Sequence, residues 1–254
     1  MKPLVIPEFF SDKVSHGFFG RKGGVSSSVF ESLNVTPYSG DDVELVRQNR
    51  EIVRAQQKAK RLVTLKQTHS DLCLVASNIL ENESVVEGDA LVTDQKGLAL
   101  GVMTADCAPV LFEGKKPDGQ TVIGAAHAGW GGAFRGICES TLDKMEELGC
   151  LRETIKSAIG PCIAQASYEV GQDFKRPFLE KDASSERFFV EKGDNLYFDL
   201  ESYVAHRLRE AGVRHINAVS QDTYRLEQDY FSFRRSTHKG EAEYGRQISV
   251  ITII

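Results

Sequence analysis

Long apolar runs are missing from this sequence. No apolar run approaches the roughly 20 residues that a membrane-spanning helix requires. The first ten residues are interrupted by Pro3 and Pro7, and they hold no apolar stretch long enough for a secretory signal peptide. We therefore expect a cytoplasmic protein that does not associate with membranes.

Cysteine is present, but not in a pattern that suggests disulfides or a structural zinc site. The five cysteines are an odd number at scattered spacings, and no Cys-x-x-Cys pair occurs. An odd, scattered set favours reduced thiols over a disulfide framework. The missing pair argues against a zinc ribbon or zinc finger.

An excess of charge of one sign is also absent. The chain has 31 Lys and Arg residues against 36 Asp and Glu residues, and its net charge is −5. Nothing in this balance points to a nucleic acid or an anionic membrane as partner, so any anion site must be built locally. The 254 residues contain no repeats and no linker-like composition shift, and we expect a single domain over residues 1–254.

The most informative stretch of the chain is residues 97–132. Three short apolar segments typical of buried strands lie at residues 97–104, 108–112 and 121–126. Cys107 follows the first of these segments, and His127 follows the last. Strand ends hold the backbone while the side chain reaches the surface. The thiol and the imidazole are therefore candidates for chemistry.

Helices and strands are predicted to alternate along the rest of the chain. Asp41 is expected to cap a helix that ends near Gln57, and apolar periodicity predicts one continuous helix over residues 132–149. Asp199 is expected to cap a further helix that ends at Ala211.

Strand patterns complete the prediction. Residues 62–77 read as a hairpin with His69 at its turn, and residues 187–198 read as a second hairpin. Residues 230–246 read as a basic, polar loop before an apolar C-terminal strand. Because hairpins alternate with strand–helix units, we expect an α/β (α+β) fold with mixed β-sheets packed against helices, not a pure Rossmann fold.

Three reactive side chains, His69, Cys107 and His127, fall at predicted strand ends. One Cys and two His can hold zinc and leave a fourth position open for water or substrate. The same set could instead be a Cys–His nucleophilic pair, or a buried Cys with two unrelated histidines. The separations of 38 and 20 residues match no local ligand motif, so the residues alone leave all three interpretations open.

Ordered sequence blocks over nearly the whole chain carry a family resemblance. The most specific block is Ala-His-Ala-Gly-Trp at residues 126–130. The other blocks lie at residues 16–26, 32–34, 49–50, 67–69, 88–93, 105–110, 159–163, 168–170, 231–235 and 245–247. On these blocks the sequence resembles the bacterial laccase-domain family, whose members are named polyphenol oxidase, purine nucleoside phosphorylase or peptidoglycan editing factor.

The resemblance implies a metal site and a reaction. It implies zinc on His69, Cys107 and His127, the set already singled out. It also implies phosphorolysis of adenosine, inosine, guanosine and methylthioadenosine to base and pentose 1-phosphate, with adenosine deamination in the same pocket. Copper outranks zinc in affinity for nitrogen and sulfur ligands, so copper is a possible substitute at this site.

Further candidate residues follow from combining the resemblance with the chemistry. Asp89 and Asp106 are candidates for proton transfer or for orienting a ligand histidine, and Cys107 is a candidate catalytic group. The candidates for binding substrate and phosphate are Arg21, Gln67, Arg234, Arg235 and Arg246.

The sequence departs from the family pattern at two positions. Gly131 stands where members usually carry a basic residue after Gly-Trp, and Arg135 follows one helical turn later. Asp222 stands before Thr223 where members usually carry Cys. Both departures bear on phosphate affinity and substrate range.

Three alternative functions remain. A Cys–His hydrolase would be inactivated by thiol alkylation and unaffected by chelators. A cell-wall-related editing or binding protein would bind its ligand without turnover. A copper-dependent polyphenol oxidase would have only weak activity, because six histidines in unconnected contexts do not supply the several copper sites of a laccase.

Overall fold

The computed structural model describes residues 2–79 and 85–254. Thirteen strands and six α-helices lie within these ranges. The strands are β1 (Val14–Phe18), β2 (Arg61–Val63), β3 (Cys73–Val75), β4 (Ala90–Thr93), β5 (Leu98–Thr104), β6 (Ala108–Lys115), β7 (Thr121–Ala128), β8 (Lys156–Ile159), β9 (Glu169–Val170), β10 (Phe189–Lys192), β11 (Asn195–Phe198), β12 (His215–Ala218) and β13 (Gln247–Ile253). The helices are α1 (Val43–Gln56), α2 (Trp130–Arg135), α3 (Ile137–Glu147), α4 (Arg176–Lys181), α5 (Leu200–Glu210) and α6 (Phe233–Lys239).

The strands form three sheets. The largest sheet has the order β12-β8-β6-β7-β4-β3, the second has the order β1-β13-β5-β2, and the smallest has the order β10-β11-β9. The larger two combine parallel and antiparallel pairs, since β12 runs parallel to β8 and β2 runs parallel to β5, whereas the central pairs are antiparallel. This arrangement confirms the expected mixed α/β fold with helices.

The two larger sheets pack against each other through fully buried side chains. Leu111 and Ile123 of the six-stranded sheet share one cluster with Leu100 and Ile251 of the four-stranded sheet. Alternate residues of a strand point to opposite faces, so Phe112 lies in the cluster on the helix-covered side. Strand β6 is therefore buried on both faces, which explains its nearly continuous apolar sequence.

Helices cover the outer face of the six-stranded sheet. Ile137, Leu142 and Met145 of α3 are fully buried in this layer. The single helix predicted over residues 132–149 is wrong, because α2 ends and α3 begins at Gly136, which has a φ of 116°. Only glycine adopts this backbone conformation without strain, so the chain changes direction there.

The hairpin predicted over residues 62–77 is also wrong. Strand β2 pairs with β5 in the four-stranded sheet, whereas β3 pairs with β4 in the six-stranded sheet. The intervening segment, with His69, therefore crosses from one sheet to the other. Alternating polarity identified two half-buried strands but could not show that their partners lie elsewhere.

Smaller differences concern helix ends. Asp42, not Asp41, caps α1, and its carboxylate accepts hydrogen bonds from the amides of Glu44 and Leu45. The segment predicted as a loop over residues 230–246 contains α6, which begins after Ser232. The second hairpin, the Asp199-capped helix and the C-terminal strand are confirmed.

No helix in the described part of the chain has both the length and the apolarity needed to cross a bilayer.

We expect Leu111→Ala to destabilise the fold strongly, because the side chain is fully buried between the two large sheets. Loss of a buried Leu side chain lowers the free energy of unfolding by about 2–5 kcal/mol. Val43→Ala is the control, since Val43 is 76% exposed. Urea unfolding followed by circular dichroism measures both, and equal effects of the two substitutions would contradict this account of the packing.

Candidate active site

The structure brings His69, Cys107 and His127 together. One ligand atom from each lies within 4.8 Å of the others, and the Cys107 Sγ lies 3.7 Å from the His69 Nε2. Cys107 lies in the turn between β5 and β6, and His127 is the penultimate residue of β7. His69 lies between β2 and β3, so His69 and Cys107 are both placed where the chain crosses between the two large sheets.

The buried carboxylate of Asp89 holds both histidines. Its Oδ1 accepts hydrogen bonds from the His127 Nδ1 at 2.8 Å and from the backbone amide of His69 at 3.0 Å. Its Oδ2 accepts from the amides of Thr68 and Ser70 and from the Ser70 hydroxyl. Because the His127 Nδ1 donates to Asp89, the Nε2 is left as the atom that can bind a metal.

The backbone around the cluster is unusual at His69. Its φ of 60° lies in the left-handed region, which is unfavourable for a residue with a side chain. The hydrogen bonds that three successive amides donate to the Asp89 carboxylate compensate for this cost. The conformation directs the imidazole toward Cys107.

Gly129 lets the strand carrying His127 approach the other two ligands. A Cβ at this position would lie 2.8 Å from both the Cys107 Sγ and the His69 Cδ2. Any side chain there would therefore push the cluster apart. This contact gives a physical reason for the glycine in the Ala-His-Ala-Gly-Trp block.

Cys107 and His127 shift each other's pKa. Burial disfavours the ionised thiol of Cys107, but the charge and hydrogen bonds of the two imidazoles outweigh burial and lower its pKa to about 6. Burial also disfavours the imidazolium of His127, but the Cys107 thiolate and the Asp89 carboxylate outweigh it and raise its pKa to about 9. Without a metal, the pair at neutral pH is a thiolate and an imidazolium.

Asp106 ties the Cys107 turn to the start of α6. Its carboxylate accepts hydrogen bonds from the Thr223 hydroxyl at 2.7 Å, from the Ser232 hydroxyl at 2.9 Å and from the Arg234 amide at 2.7 Å. Burial raises its pKa despite these bonds. Its role in proton transfer stays a prediction.

The Asp222 side chain forms hydrogen bonds with three neighbouring residues. Its carboxylate accepts hydrogen bonds from the Ala164 amide, the Ser167 hydroxyl and the Tyr224 amide. It thereby fixes the segment before Tyr168, which lines a cavity beside the cluster.

Two cavities meet at the cluster. The first has a volume of about 350 Å³, and the second has a volume of about 420 Å³. His69, Cys107 and Phe233 line both cavities. Aromatic side chains of the first are Tyr38 and Tyr244, and those of the second are Trp130, Tyr168 and Phe174.

The predicted substrate-binding residues are divided among different places. Gln67 and Arg246 line the first cavity, and Arg234 lines the second. Arg21 and Arg235 line a third cavity of about 330 Å³, together with Glu227 and apart from the cluster.

The two arginines beside the cluster have no acidic partner. Arg246 donates to the Thr36 and Tyr244 hydroxyls, and Arg234 donates to the Glu169 carbonyl. Within residues 2–79 and 85–254, no carboxylate forms an ion pair with either guanidinium. Both charges are therefore available to an anion.

Several cavity residues were missed by sequence reasoning. Tyr38, Lys66 and Tyr244 line the first cavity, and Phe174 lines the second. They come from segments far apart in the chain, and isolated aromatic or basic residues give no local signal. Only the fold places them beside the cluster.

Comparisons with known proteins identify the family of the chain. The family model described as multi-copper polyphenol oxidoreductase laccase matches residues 15–254. The chain is 36% identical over 215 residues to a purine nucleoside phosphorylase of Rickettsia conorii, covering 84% of this chain and 86% of that protein. It is 32% identical to the purine nucleoside phosphorylase YfiH of Escherichia coli K12, covering all of both chains.

A solved structure supports the same assignment. A Neisseria meningitidis protein of the DUF152 family superimposes with a TM-score of 0.84 and 31% sequence identity, covering 96% of this chain and 95% of that one. The family model matches most of the chain, and a relative is similar over the full length of both proteins. The chain belongs to the multi-copper polyphenol oxidoreductase laccase family, in which the relatives named above are called purine nucleoside phosphorylases.

Proposed function

We propose that the protein is a zinc-dependent purine nucleoside phosphorylase that also deaminates adenosine. It would convert adenosine, inosine, guanosine or methylthioadenosine with phosphate to the free base and pentose 1-phosphate. The observation that carries the proposal is the His69–Cys107–His127 cluster, which opens into two cavities with an unpaired arginine in each. The names of the relatives support the reaction class.

The donor types of the cluster suit zinc, and so does the spacing between Cys107 and His69. Tetrahedral zinc with bonds of about 2.3 Å to sulfur and 2.0–2.1 Å to nitrogen separates these two atoms by about 3.5 Å. The Cys107 Sγ and His69 Nε2 are 3.7 Å apart. Three protein ligands leave one open position, where zinc supplies a Lewis acid and lowers the pKa of bound water.

The chain's own residues would hold and orient the substrates. Arg246 and Arg234 offer guanidinium groups for phosphate on either side of the cluster. Tyr38, Tyr244 and Phe233 offer aromatic faces on which a purine can stack. Asp89 keeps the Nε2 of His127 directed at the metal position.

A Cys–His hydrolase is the second candidate, and one observation favours it. The Asp89 carboxylate orients the His127 imidazole through a hydrogen bond, and this imidazole interacts with the Cys107 thiolate. This is the geometry of a cysteine nucleophile with its base. Thiol alkylation would abolish such an activity, and chelators would leave it unchanged.

A multicopper oxidase is less compatible with the site. In the described ranges, His69, Cys107 and His127 form the one cluster with metal-ligand geometry. Copper in this single site would give only weak oxidation of phenols. A cell-wall-related editing or binding role would appear as ligand binding without base release.

We expect purified protein loaded with zinc to release free base from adenosine and inosine only when phosphate is present. His127→Ala should lose both metal and activity, because the cluster then retains one imidazole and one thiol. His215→Ala is the control, since His215 is an exposed residue of β12. Chromatography of the products measures turnover, and metal analysis of each purified variant measures bound zinc. Normal metal content with normal turnover in His127→Ala would refute the scheme.

Phosphate recognition can be tested by comparing two arginines. We expect Arg246→Met to raise the KM for phosphate at least about tenfold, because a charge-assisted contact of about 1.5–3 kcal/mol is removed. Arg21→Met should leave that KM unchanged, because Arg21 lines the third cavity. Initial rates at varied phosphate give both values, and an effect confined to Arg21→Met would place phosphate elsewhere.

Alkylation of Cys107 tests the state of the metal-free cluster. With a pKa of about 6, the thiol should react with iodoacetamide at full rate near pH 8 and lose reactivity with a midpoint near pH 6. Zinc should protect it, and Asp89→Asn should raise the midpoint because the His127 imidazolium loses its carboxylate partner. The other four cysteines are buried, and Cys107→Ser corrects for them. A midpoint above pH 8 would contradict the thiolate–imidazolium pair.

A further inference from the structure

Arg135 contacts the backbone of a residue that we propose as a metal ligand. Its Nε and Nη2 both donate to the carbonyl oxygen of His69, at 3.2 and 2.5 Å. Arg135 is the last residue of α2 and is itself exposed. Two donors of one guanidinium therefore converge on this carbonyl oxygen, and loss of the side chain removes both hydrogen bonds.

His69 is the most exposed of the three residues in the cluster. It is exposed and lies in a segment between strands, whereas His127 is buried within β7. Its left-handed φ of 60° is held on the amide side by Asp89. The carbonyl side is held by Arg135, so that the two contacts fix both peptide groups of this residue.

Gly131 leaves the space that this contact needs. A Cβ built at Gly131 would lie 2.9 Å from the Nη2 of Arg135, and the three nearest atoms are all in that guanidinium. Positions four apart lie on the same face of a helix. The flexible end of Arg135 would have to shift to relieve this contact, and the shift would disturb its hydrogen bonds to the His69 carbonyl.

We propose that Arg135 is a positioning residue that fixes the backbone of His69, and that Gly131 is required because it leaves room for the Arg135 guanidinium. The proposal deepens the metal site of the proposed function and rests on it for metal affinity. It assigns a joint role to two residues of α2 that act through the backbone of His69 rather than by binding the metal. Loss of partners that orient metal ligands typically weakens metal binding about 10–100-fold.

The first experiment titrates metal-free protein with Co²⁺ and follows affinity and visible spectrum. We expect Arg135→Met to bind Co²⁺ about tenfold more weakly with an altered spectrum, and Arg135→Lys to recover part of the loss. Arg209→Met, an exposed arginine of α5, should behave as the unsubstituted protein does. Unchanged affinity and spectrum in Arg135→Met would overturn the proposal.

Gly131→Ala separates positioning from general stability. Alanine favours a helix over glycine, so the Tm of this variant should be equal or higher. Co²⁺ binding should nevertheless weaken as in Arg135→Met, and the double variant should be no weaker than Arg135→Met alone. Unchanged Co²⁺ binding in Gly131→Ala, or additive losses in the double variant, would overturn the role given to Gly131.

A readout without metal distinguishes failure of this inference from failure of the proposed function. In the metal-free protein, hydrogen exchange at the amides of residues 68–70 should accelerate in Arg135→Met and in Gly131→Ala. If the unsubstituted protein bound neither Zn²⁺ nor Co²⁺, the proposed metal enzyme would be refuted while the exchange rates still decided the backbone role. Equal exchange rates in all variants would overturn the inference.

Discussion

The carboxylate of Asp89 is the constraint on which the site depends. It has no exposed surface, and it binds an imidazole nitrogen of one histidine and the backbone amide of the other. A buried carboxylate is stable only when its oxygens are satisfied, and here backbone amides, a hydroxyl and an imidazole do so. The same bonds keep its pKa well below the usual range against the effect of burial. This one group therefore holds the shape of the His69 segment and, together with the Cys107 thiolate, favours the protonated form of His127.

The two cavities give the cluster access to two groups at once. Phe233 lines both, and its position depends on the start of α6, which Asp106 holds through Ser232 and the Arg234 amide. A reaction that brings a nucleoside and phosphate together needs two adjoining subsites with a shared reactive centre. Asp106 therefore affects the proposed chemistry by positioning Phe233, which lines both cavities. This effect does not depend on proton transfer by Asp106.

The sequence predicted the mixed α/β class, most strands and the three members of the cluster. These predictions succeeded because apolar periodicity is a local signal, and because Cys107 and His127 lie at the ends of strands that the pattern located well. The predicted pairing of β2 with β3 was wrong, because the choice of partner strand depends on contacts between residues distant in the chain. The division of the arginines among three cavities could not be predicted either, because Arg234 and Arg235 are adjacent in sequence yet point into different cavities. Successive side chains of helix α6 are rotated by about 100° around the helix axis, which separates these two arginines, and the sequence pattern predicts a loop rather than a helix for this segment.

The placement of His69 and Cys107 on two of the chain crossings between the large sheets has a thermodynamic consequence. An ion held by these residues and by His127 of the six-stranded sheet would act as a cross-link in addition to the hydrogen bonds and apolar contacts that join the crossing segments. Because the unfolded chain lacks this arrangement, binding free energy would add directly to the stability of the packed sheets, in proportion to the logarithm of the free metal concentration. Metal supply in the cell would thus raise the stability of this protein as well as its activity.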